Sequence, residues 1–406
     1  RGLISVEGYN PAELRETAAV CNSLVTRPPE SFREAIQAVW FLFVVLQMES
    51  NASSFSPGRM DQYLFPYLKR DLEAGRISLV QAQELLEALW LKFNQIVYLR
   101  AACSAQYFAG FPIGFNVAIG GMDRTGADAT NLLSFMILKA QEHIGLPQPN
   151  LSARLWSGSP DAFVDQCARV IGRGSGMPQI VNDESIIPAL ESQGIRRDDA
   201  RDYAVVGCVE LSTQGNTLGL SDAAMFNLVK VLELAINDGV CMLTGKQLGP
   251  KTGLLSDFGT MEEFLTAYRR QFDYFFDRMI PLCDAVDRLH AEVLPSPFLS
   301  GVIEGCLEKG VDVTAGGAIY NLSGIQAIQV ANLADSLAAL AQDVFANVPR
   351  AASSDAAASI ASPATVRPLG AITADRLLRA LRSDFDGEEP LRQHLIQAVP
   401  KYGNDV

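Results

Sequence analysis

The sequence predicts an α/β protein rich in helix, because short apolar segments alternate with long stretches of helical periodicity. Segments bounded by glycine, proline or polar residues have the apolar character of buried strands at 111–121, 150–155, 178–183, 202–207 and 316–321. Helical spacing predicts helices at 30–48, 79–96, 128–143, 161–172, 222–238, 261–293, 324–346 and 373–383. The chain of 406 residues is 48% apolar and 19% charged, which is typical of a globular protein with a large core.

Two features predict where the first helices lie. The helix at 30–48 is apolar on most faces, so we expect it to be deeply buried. A polar loop at 49–62, which contains proline and glycine, should follow it. Ser78 and Gln81 have the spacing of a capping box, which predicts that the next helix begins at Leu79.

Three later segments are more ambiguous. The glycines at 171–178 follow a helix and precede a strand, which is the reverse of a phosphate loop, so we favour a helix end and turn over an anion site. Ser221 is a candidate N-cap, which would place Asp222 in a first helical turn, where a carboxylate interacts favourably with the helix dipole. The Ala/Ser-rich segment 350–366 has little periodicity, and we expect a flexible surface insertion.

Charge and composition exclude several classes of function. The net charge of −13 argues against nucleic acid and anionic membranes as partners. No apolar run is long enough to span a membrane, and the first residues lack the pattern of a signal peptide, so we expect a cytoplasmic protein. The seven cysteines include no CxxC and the three histidines are not at ligand spacing, so a disulfide framework or metal site is not expected. Carboxylates and thiols are therefore the candidates for chemistry.

The segment VVGCVELSTQG at 205–215 places such a pair together. In an extended segment, side chains two residues apart point the same way, so Cys208 and Glu210 would face one cavity. No histidine or cation lies nearby in sequence to activate a thiolate nucleophile. A negative glutamate instead favours the protonated thiol, which can give up a hydrogen atom, and a buried glutamate is suited to transfer a proton. The pair fits radical chemistry better than nucleophilic chemistry, although a structural cysteine beside a surface glutamate is the alternative.

With the helix-like sequence SDAAMFNLVKVLELAINDG behind it, GCVE resembles the glycyl radical enzymes. The segment ESNASSFSPGRMDQYLFPYLKRDLEAG, from residue 49, resembles the loop of that family that is followed by SPGRxDQ. TAGGAIYNLSGIQAIQVANLADSLAAL, from residue 314, and DFDGEEPLRQHLIQAVPKYGNDV, from residue 384, resemble later parts of the family. The resemblance covers nearly the whole chain.

The resemblance implies a ten-stranded α/β barrel of two antiparallel five-stranded halves surrounded by helices, with Cys208 on a finger loop inside it. It also implies that a glycyl radical converts Cys208 to a thiyl radical, which takes a hydrogen atom from a small-molecule substrate while Glu210 acts as general base. The family motif that carries the radical glycine is absent before Val406. We therefore expect residues 1–406 to be a fragment of the barrel domain, inert alone as a radical enzyme.

The resemblance also implies cofactors and partners. We expect this chain to bind no cofactor itself. The radical is expected on the missing C-terminal domain, installed by an activating enzyme that uses S-adenosylmethionine and an iron–sulfur cluster. A homodimer in anaerobic cytoplasm is expected.

Within the family, the chain is most similar to the glycerol and propanediol dehydratases. Those enzymes place a substrate-binding aspartate at the position of Asp222, so Asp222 is either a substrate contact or a helix first-turn residue. Where they usually have His-Ser, this chain has Ser53 and Ser54, which either bind a substrate hydroxyl or are ordinary loop residues. Phe111 replaces a tyrosine and is expected to form a wall of the pocket.

We therefore predict a lyase that eliminates water from a small diol or polyol. A C–S or C–N lyase of the same family would use the same residues. Pyruvate formate-lyase has two adjacent cysteines at this point, whereas here Gly207 precedes Cys208, so a formate acetyltransferase-like enzyme resembles the chain less. A non-catalytic homologue that acts as a scaffold is the alternative outside enzymes.

Overall fold

The structure is a computed structural model that describes residues 10–50, 54–97, 99, 101–106, 114–346, 372–397 and 399–403. Ser53, Phe111 and the predicted insertion at 350–366 lie outside the described residues. The chain divides into two compact units. The first comprises Arg1–Ser221 and Asp287–Gly324, and the second comprises Asp222–Val286 and Ile325–Val406.

The helices of the described residues are numbered in chain order. The first ten are α1 (Pro11–Thr26), α2 (Phe32–Ser50), α3 (Met60–Tyr63), α4 (Phe65–Glu73), α5 (Leu79–Phe93), α6 (Ala102–Ala105), α7 (Leu132–Ile144), α8 (Asp161–Val170), α9 (Asp183–Ser192) and α10 (Arg197–Arg201). The later ones are α11 (Leu228–Ile236), α12 (Met261–Val293), α13 (Pro297–Ser300), α14 (Cys306–Lys309), α15 (Val330–Ala339), α16 (Ala374–Arg382) and α17 (Glu389–Gln397).

Seven strands are present in the described residues: β1 (Asn116–Gly120), β2 (Asn150–Leu155), β3 (Gln179–Asn182), β4 (Tyr203–Val206), β5 (Glu210–Thr213), β6 (Thr217–Asn227) and β7 (Tyr320–Ile328). Strands β1, β2 and β3 form a parallel sheet in that order. Strands β4 and β5 form an antiparallel hairpin, and β6 pairs with β7. The mixed α/β class is confirmed. The described residues show these three sheets and do not show a closed ten-stranded barrel, which stays a prediction.

The core of the first unit lies where helices cover the parallel sheet. Helices α2, α5 and α7 pack together, and Phe93 and Phe115 meet edge to face with ring centroids 5.0 Å apart. Trp90 is fully buried, and its indole N–H donates to Gln141 Oε1 at 2.9 Å, which satisfies the one polar atom of the ring. All five residues of β1 are buried, as expected for a strand of a covered parallel sheet.

A separate core lies in the second unit. Side chains from α11, α12, α15 and α16 meet there, with Leu232, Phe264 and Leu378 among the buried members. The rings of Phe258 and Phe264 make an edge contact at 5.7 Å. This packing fixes the end of α11 and the loop that follows it.

Several predicted elements are confirmed. Strand β2 and helix α12 have the predicted bounds, and the capping box of Ser78 and Gln81 begins α5 at Leu79. The segment at 171–178 is a helix end, because a π-helical turn at Ile171–Ser175 leads to Gly176 in the left-handed conformation.

The prediction that the helix at 30–48 is deeply buried is wrong for one of its faces. Helix α2 buries Phe32, Ile36 and Phe43, but Met48 is 78% exposed. The helix packs against α1, α4 and α5, and apolar side chains such as Met48 face away from that core.

The helix predicted at 222–238 begins later than the sequence indicates. Strand β6 continues through Asp222 to Asn227, and α11 begins only at Leu228. Asn227 is the N-cap, because its Oδ1 accepts a hydrogen bond from the backbone N–H of Lys230 at 2.8 Å. The proposed cap at Ser221 is therefore wrong, since pairing with β7 keeps this segment extended. For the same reason the helix predicted at 324–346 begins at Val330.

Candidate active site

Cys208 lies in the turn of the β4–β5 hairpin. Val206 pairs with Glu210, so residues 207–209, here named the Cys208 turn, connect the two strands. Gly207 has φ +61°, a left-handed conformation that a glycine adopts without a steric penalty. Among the cysteines whose side chains are described, Cys208 is the exposed one. The extended backbone predicted around Cys208 is therefore wrong, because a three-residue turn replaces it.

Glu210 folds back over this turn. Its Oε2 accepts hydrogen bonds from the backbone N–H groups of Cys208 and Val209, both at 2.9 Å. Two backbone donors hold the carboxylate beside the residue that carries the thiol. The structure thus brings Cys208 and Glu210 together, by a route different from the predicted alternation of side chains.

Side chains from distant segments hold Gly207 at both of its backbone polar groups. Its N–H donates to Ser56 Oγ at 3.2 Å, and its carbonyl accepts from Asn150 Nδ2 at 3.1 Å. Asn116 Nδ2 approaches the same carbonyl at 3.4 Å, and the Asn116 N–H donates to Ser56 Oγ at 2.9 Å. This group of Ser56, Asn116 and Asn150, here named the Gly207 clamp, fixes the start of the Cys208 turn.

Ser54 lies beside the same turn. Its hydroxyl donates to the carbonyl of Gly114 at 3.0 Å. A Cβ atom added to Gly207 would lie 3.0 Å from Ser54 Oγ and 2.9 Å from Glu210 Oε2. Ser54 Oγ and Glu210 Oε2 therefore both lie close to Gly207 at the start of the Cys208 turn.

Buried charges anchor the hairpin at its base. Arg154 and Asp183 form a fully buried ion pair with two contacts, at 2.9 and 2.8 Å. Arg154 Nη1 also donates to the carbonyl of Tyr203 at 2.9 Å, and the Tyr203 hydroxyl donates to Asp183 Oδ1 at 2.7 Å. Burial raises the pKa of Tyr203, so its phenol stays a donor. These contacts tie β4 to β2 and α9.

The segment SPGRMDQ supplies a second anchor. Arg59 is 1% exposed and pairs with Asp202 at 2.8 Å, immediately before β4. Burial lowers the pKa of the Arg59 guanidinium, and burial raises the pKa of Asp61. Asp61 accepts from the N–H of Gly120 at 2.8 Å. The motif therefore acts as a support for the sheet and the hairpin.

Asp222 is in the second unit, within β6 rather than in a helix. It is exposed and has φ +97°, a conformation that is strained for a residue with a Cβ. Backbone strain of this kind is often retained at functional sites. The prediction that Asp222 lies in the first turn of a helix is therefore wrong. A contact between Asp222 and the substrate stays a prediction.

Neither the Gly207 clamp nor the buried ion pair of Arg154 and Asp183 is predicted by the sequence. Asn150 and Ser56 could not be connected with Cys208, because they lie far from it in the chain. Arg154 did carry a signal, since an arginine within an apolar strand such as NLSARL must find a buried partner.

No cluster of three or more histidine, cysteine or carboxylate side chains suited to a metal is found among the described residues. In that part of the chain, none of the helices has both the length and the apolar character needed to span a bilayer.

Comparison with known proteins shows the family of the chain. The sequence model of the family described as pyruvate formate lyase-like matches residues 9–359. The probable dehydratase YbiW of Escherichia coli is 36% identical over 97% of this chain and 47% of its own length. An isethionate sulfite-lyase of Oleidesulfovibrio alaskensis is 31% identical over 97% of this chain and 45% of its own length.

Two solved structures extend the comparison. The glycerol-bound B12-independent glycerol dehydratase of Clostridium butyricum superposes with a TM-score of 0.86 and 39% identity, over 99% of this chain and 48% of that one. A glycyl radical enzyme of Archaeoglobus fulgidus superposes with a TM-score of 0.84 and 35% identity, over 100% of this chain and 49% of that one. The chain spans about half the length of the relatives it matches.

Proposed function

The chain belongs to the pyruvate formate lyase-like family, and from this premise we propose that it forms the barrel part of a glycyl radical lyase that eliminates water from a small diol or polyol. The observation that carries the proposal is the geometry of the Cys208 turn. An exposed thiol and a fixed carboxylate lie two residues apart, with Glu210 Oε2 held 2.9 Å from the backbone nitrogen of Cys208.

Cys208 is proposed to exchange hydrogen atoms with the substrate. An organic radical elsewhere in the protein would take the hydrogen atom of the Cys208 S–H bond, which would leave Cys208 as a thiyl radical. The Cys208 sulfur then takes a hydrogen atom from a carbinol carbon, so that an S–H bond forms as the C–H bond breaks. After elimination, the same S–H bond returns its hydrogen atom to the product radical.

Glu210 is proposed as the general base for the same step. Its carboxylate removes the proton of the hydroxyl on the carbon that has lost hydrogen. The neighbouring C–O bond breaks, and the departing hydroxyl takes a proton and leaves as water. The product is an aldehyde or ketone, so the atoms balance as diol to carbonyl compound plus water.

The remaining predicted site residues are proposed as substrate contacts. Ser54 and Asp222 each offer oxygens for substrate hydroxyls, and Ser53 and Phe111 are proposed as further substrate-binding residues. Homodimerisation, an activating enzyme with S-adenosylmethionine and an iron–sulfur cluster, and a cytoplasmic location are proposed from the same family resemblance.

A C–S lyase is the second candidate, because the similar proteins include an isethionate sulfite-lyase. The same hydrogen-atom step would then release sulfite in place of water. The two candidates differ in the leaving group, which Cys208 and Glu210 do not select.

The test uses protein from the complete reading frame, activated without oxygen by its activating enzyme and incubated with glycerol, propanediol or isethionate. We expect an aldehyde from a diol, and Cys208→Ser should form none. Sulfite from isethionate would favour the second candidate. Turnover that survives in Cys208→Ser would overturn the proposed role of Cys208.

A further inference from the structure

The second unit contains another cysteine beside a cation. Lys230 Nζ lies 3.0 Å from Cys241 Sγ and also contacts both carboxylate oxygens of Glu233 at 2.7 Å. Burial acts to lower the pKa of Lys230, and the hydrogen bonds with Glu233 and Cys241 outweigh burial and raise it. Lys230 therefore stays an ammonium ion, and a positive charge touches the sulfur.

The loop that carries this cysteine is closed by its own backbone. Residues 241–246, here named the Cys241 loop, are held by hydrogen bonds from Cys241 N–H to the Lys246 carbonyl and from Gly245 N–H to the Cys241 carbonyl, at 2.9 and 2.8 Å. Glu233 joins the loop to α11, because its Oε1 accepts from the N–H of Met242 at 2.7 Å. The contact between sulfur and ammonium is thus built into a fixed loop.

The cysteine also borders a cavity. Although Cys241 is 2% exposed, it lines a cavity of about 520 Å³ together with Asp238, Leu254 and Arg382. That volume is in the range of sites for small molecules. Asp238 accepts from the N–H of Gly253 at 2.8 Å, and Arg382 donates to Asn237 at 2.6 Å. The charges of Asp238 and Arg382 are thus engaged within the loop and helix contacts around the cavity.

The electrostatics distinguish this thiol from an ordinary buried cysteine. Hydrogen bonds from the Thr244 side chain and from Lys230 to the sulfur lower the pKa of Cys241 to about 7. By contrast, burial without such partners raises the pKa of Cys167 to about 12. The charged groups around Cys241 are Lys230 and Glu233 from α11, Asp238 after it, Lys246 on the loop and Arg382 from α16.

We propose that Cys241, paired with Lys230 at the edge of this cavity, is a thiol–disulfide exchange site that accepts half of a small-molecule disulfide. The Cys241 thiolate attacks one sulfur of the disulfide, so that a new S–S bond forms as the old one breaks. Cys241 is oxidised to a mixed disulfide, while the other half leaves as a thiolate and takes a proton from water. The inference is independent of the proposed lyase activity.

The test measures labelling by dithiodipyridine, a small neutral disulfide, in the Cys208→Ser background that removes the exposed cysteine. Peptide mass spectrometry assigns the modified residue, and the release of thiopyridone gives the rate. We expect Cys241 to be labelled faster than Cys167, with a pH–rate midpoint near 7. Cys241→Ser should remove this phase.

The role of the ammonium is tested by Lys230→Met, with Lys230→Arg and Lys246→Met as matched controls. Lys230→Met should move the midpoint upward, toward about 8.5, the ordinary value for a thiol. Lys230→Arg should keep it low, and Lys246→Met should leave it unchanged because the Lys246 side chain is exposed on the same loop. Labelling of Cys241 no faster than that of Cys167, or a midpoint in Lys230→Met equal to that of the parent, would overturn the proposal.

Discussion

The cysteine of the Cys208 turn lies beside a negatively charged side chain, whereas the cysteine of the Cys241 loop lies beside a positively charged one. In the Cys208 turn, a carboxylate is fixed by the backbone of the turn, and the thiol is exposed. In the Cys241 loop, an ammonium ion contacts the sulfur directly, and Cys241 is one of the residues that line a cavity. A neighbouring anion favours the neutral thiol and a neighbouring cation favours the thiolate, so the first suits hydrogen-atom transfer and the second suits nucleophilic exchange.

The largest expected effect comes from the carboxylate of the first site. Glu210→Gln keeps an oxygen that can accept the two backbone hydrogen bonds but removes the base. We expect turnover of the activated protein to fall by about 10²–10⁴-fold. The content of protein radical, measured by electron paramagnetic resonance, should stay unchanged.

Glu233→Gln is the matched control at the second site, because it changes the carboxylate that contacts Lys230. If the lyase activity depends on the Cys208 turn alone, Glu233→Gln should turn over substrate at the parental rate. Equal losses in the two variants would mean that the two sites do not have separate roles.

A smaller effect is expected from the Gly207 clamp. Asn150→Ala removes the 3.1 Å hydrogen bond to the Gly207 carbonyl, so the turn can shift. Because small displacements of reacting groups reduce rates steeply, we expect kcat to fall by roughly ten- to a hundredfold with KM little changed.

Ser152→Ala is the control for this prediction. Ser152 is buried on the same strand, and its hydroxyl makes no hydrogen bond among the described residues. Its kcat should stay near the parental value. A loss of activity in Asn150→Ala that follows only its loss of thermal stability would indicate a structural role instead of a positioning one.

The smallest expected effect concerns the backbone of the turn. Gly207→Ala and Gly215→Ala both place a Cβ on a left-handed residue, at φ +61° and +78°, which costs about 1–2 kcal/mol. Only at Gly207 would the new atom approach Glu210 Oε2 and displace the carboxylate, since Gly215 has open space around it.

In chemical unfolding, the free energy of unfolding should therefore fall by about 1 kcal/mol more in Gly207→Ala than in Gly215→Ala. The difference corresponds to weakened hydrogen bonds at Glu210. Turnover should fall in that variant and persist in Gly215→Ala. Equal turnover in the two variants would show that activity does not depend on the position of the Glu210 carboxylate.

The sequence predicted best where the determining interactions are local. Helix α12 and strand β2 have the predicted bounds, and the capping box of Ser78 lies within one turn of the helix that it begins. Cys208 and Glu210 could be paired from the sequence because only one residue separates them. Their turn geometry was not predicted, because the left-handed Gly207 and the folded-back carboxylate break the simple alternation of a strand.

Contacts between distant segments explain what the sequence did not predict. Residues 222–227 have helical spacing, but their pairing with β7, about a hundred residues away, makes them a strand up to the Asn227 cap. The Gly207 clamp likewise comes from Ser56, Asn116 and Asn150, which only the fold brings to the turn. Periodicity and capping patterns contain no information about such partners.

The most direct measurement is anaerobic electron paramagnetic resonance on activated protein from the complete reading frame, prepared in H₂O and in D₂O. The proposed radical glycine gives a doublet through the hydrogen on its α-carbon. The S–H of Cys208 exchanges with solvent, so hydrogen transfer between Cys208 and that glycine should collapse the doublet to a singlet in D₂O. The doublet should persist in Cys208→Ser. A doublet in D₂O that is the same in the parent and in Cys208→Ser would contradict the role of Cys208 as the radical-bearing thiol.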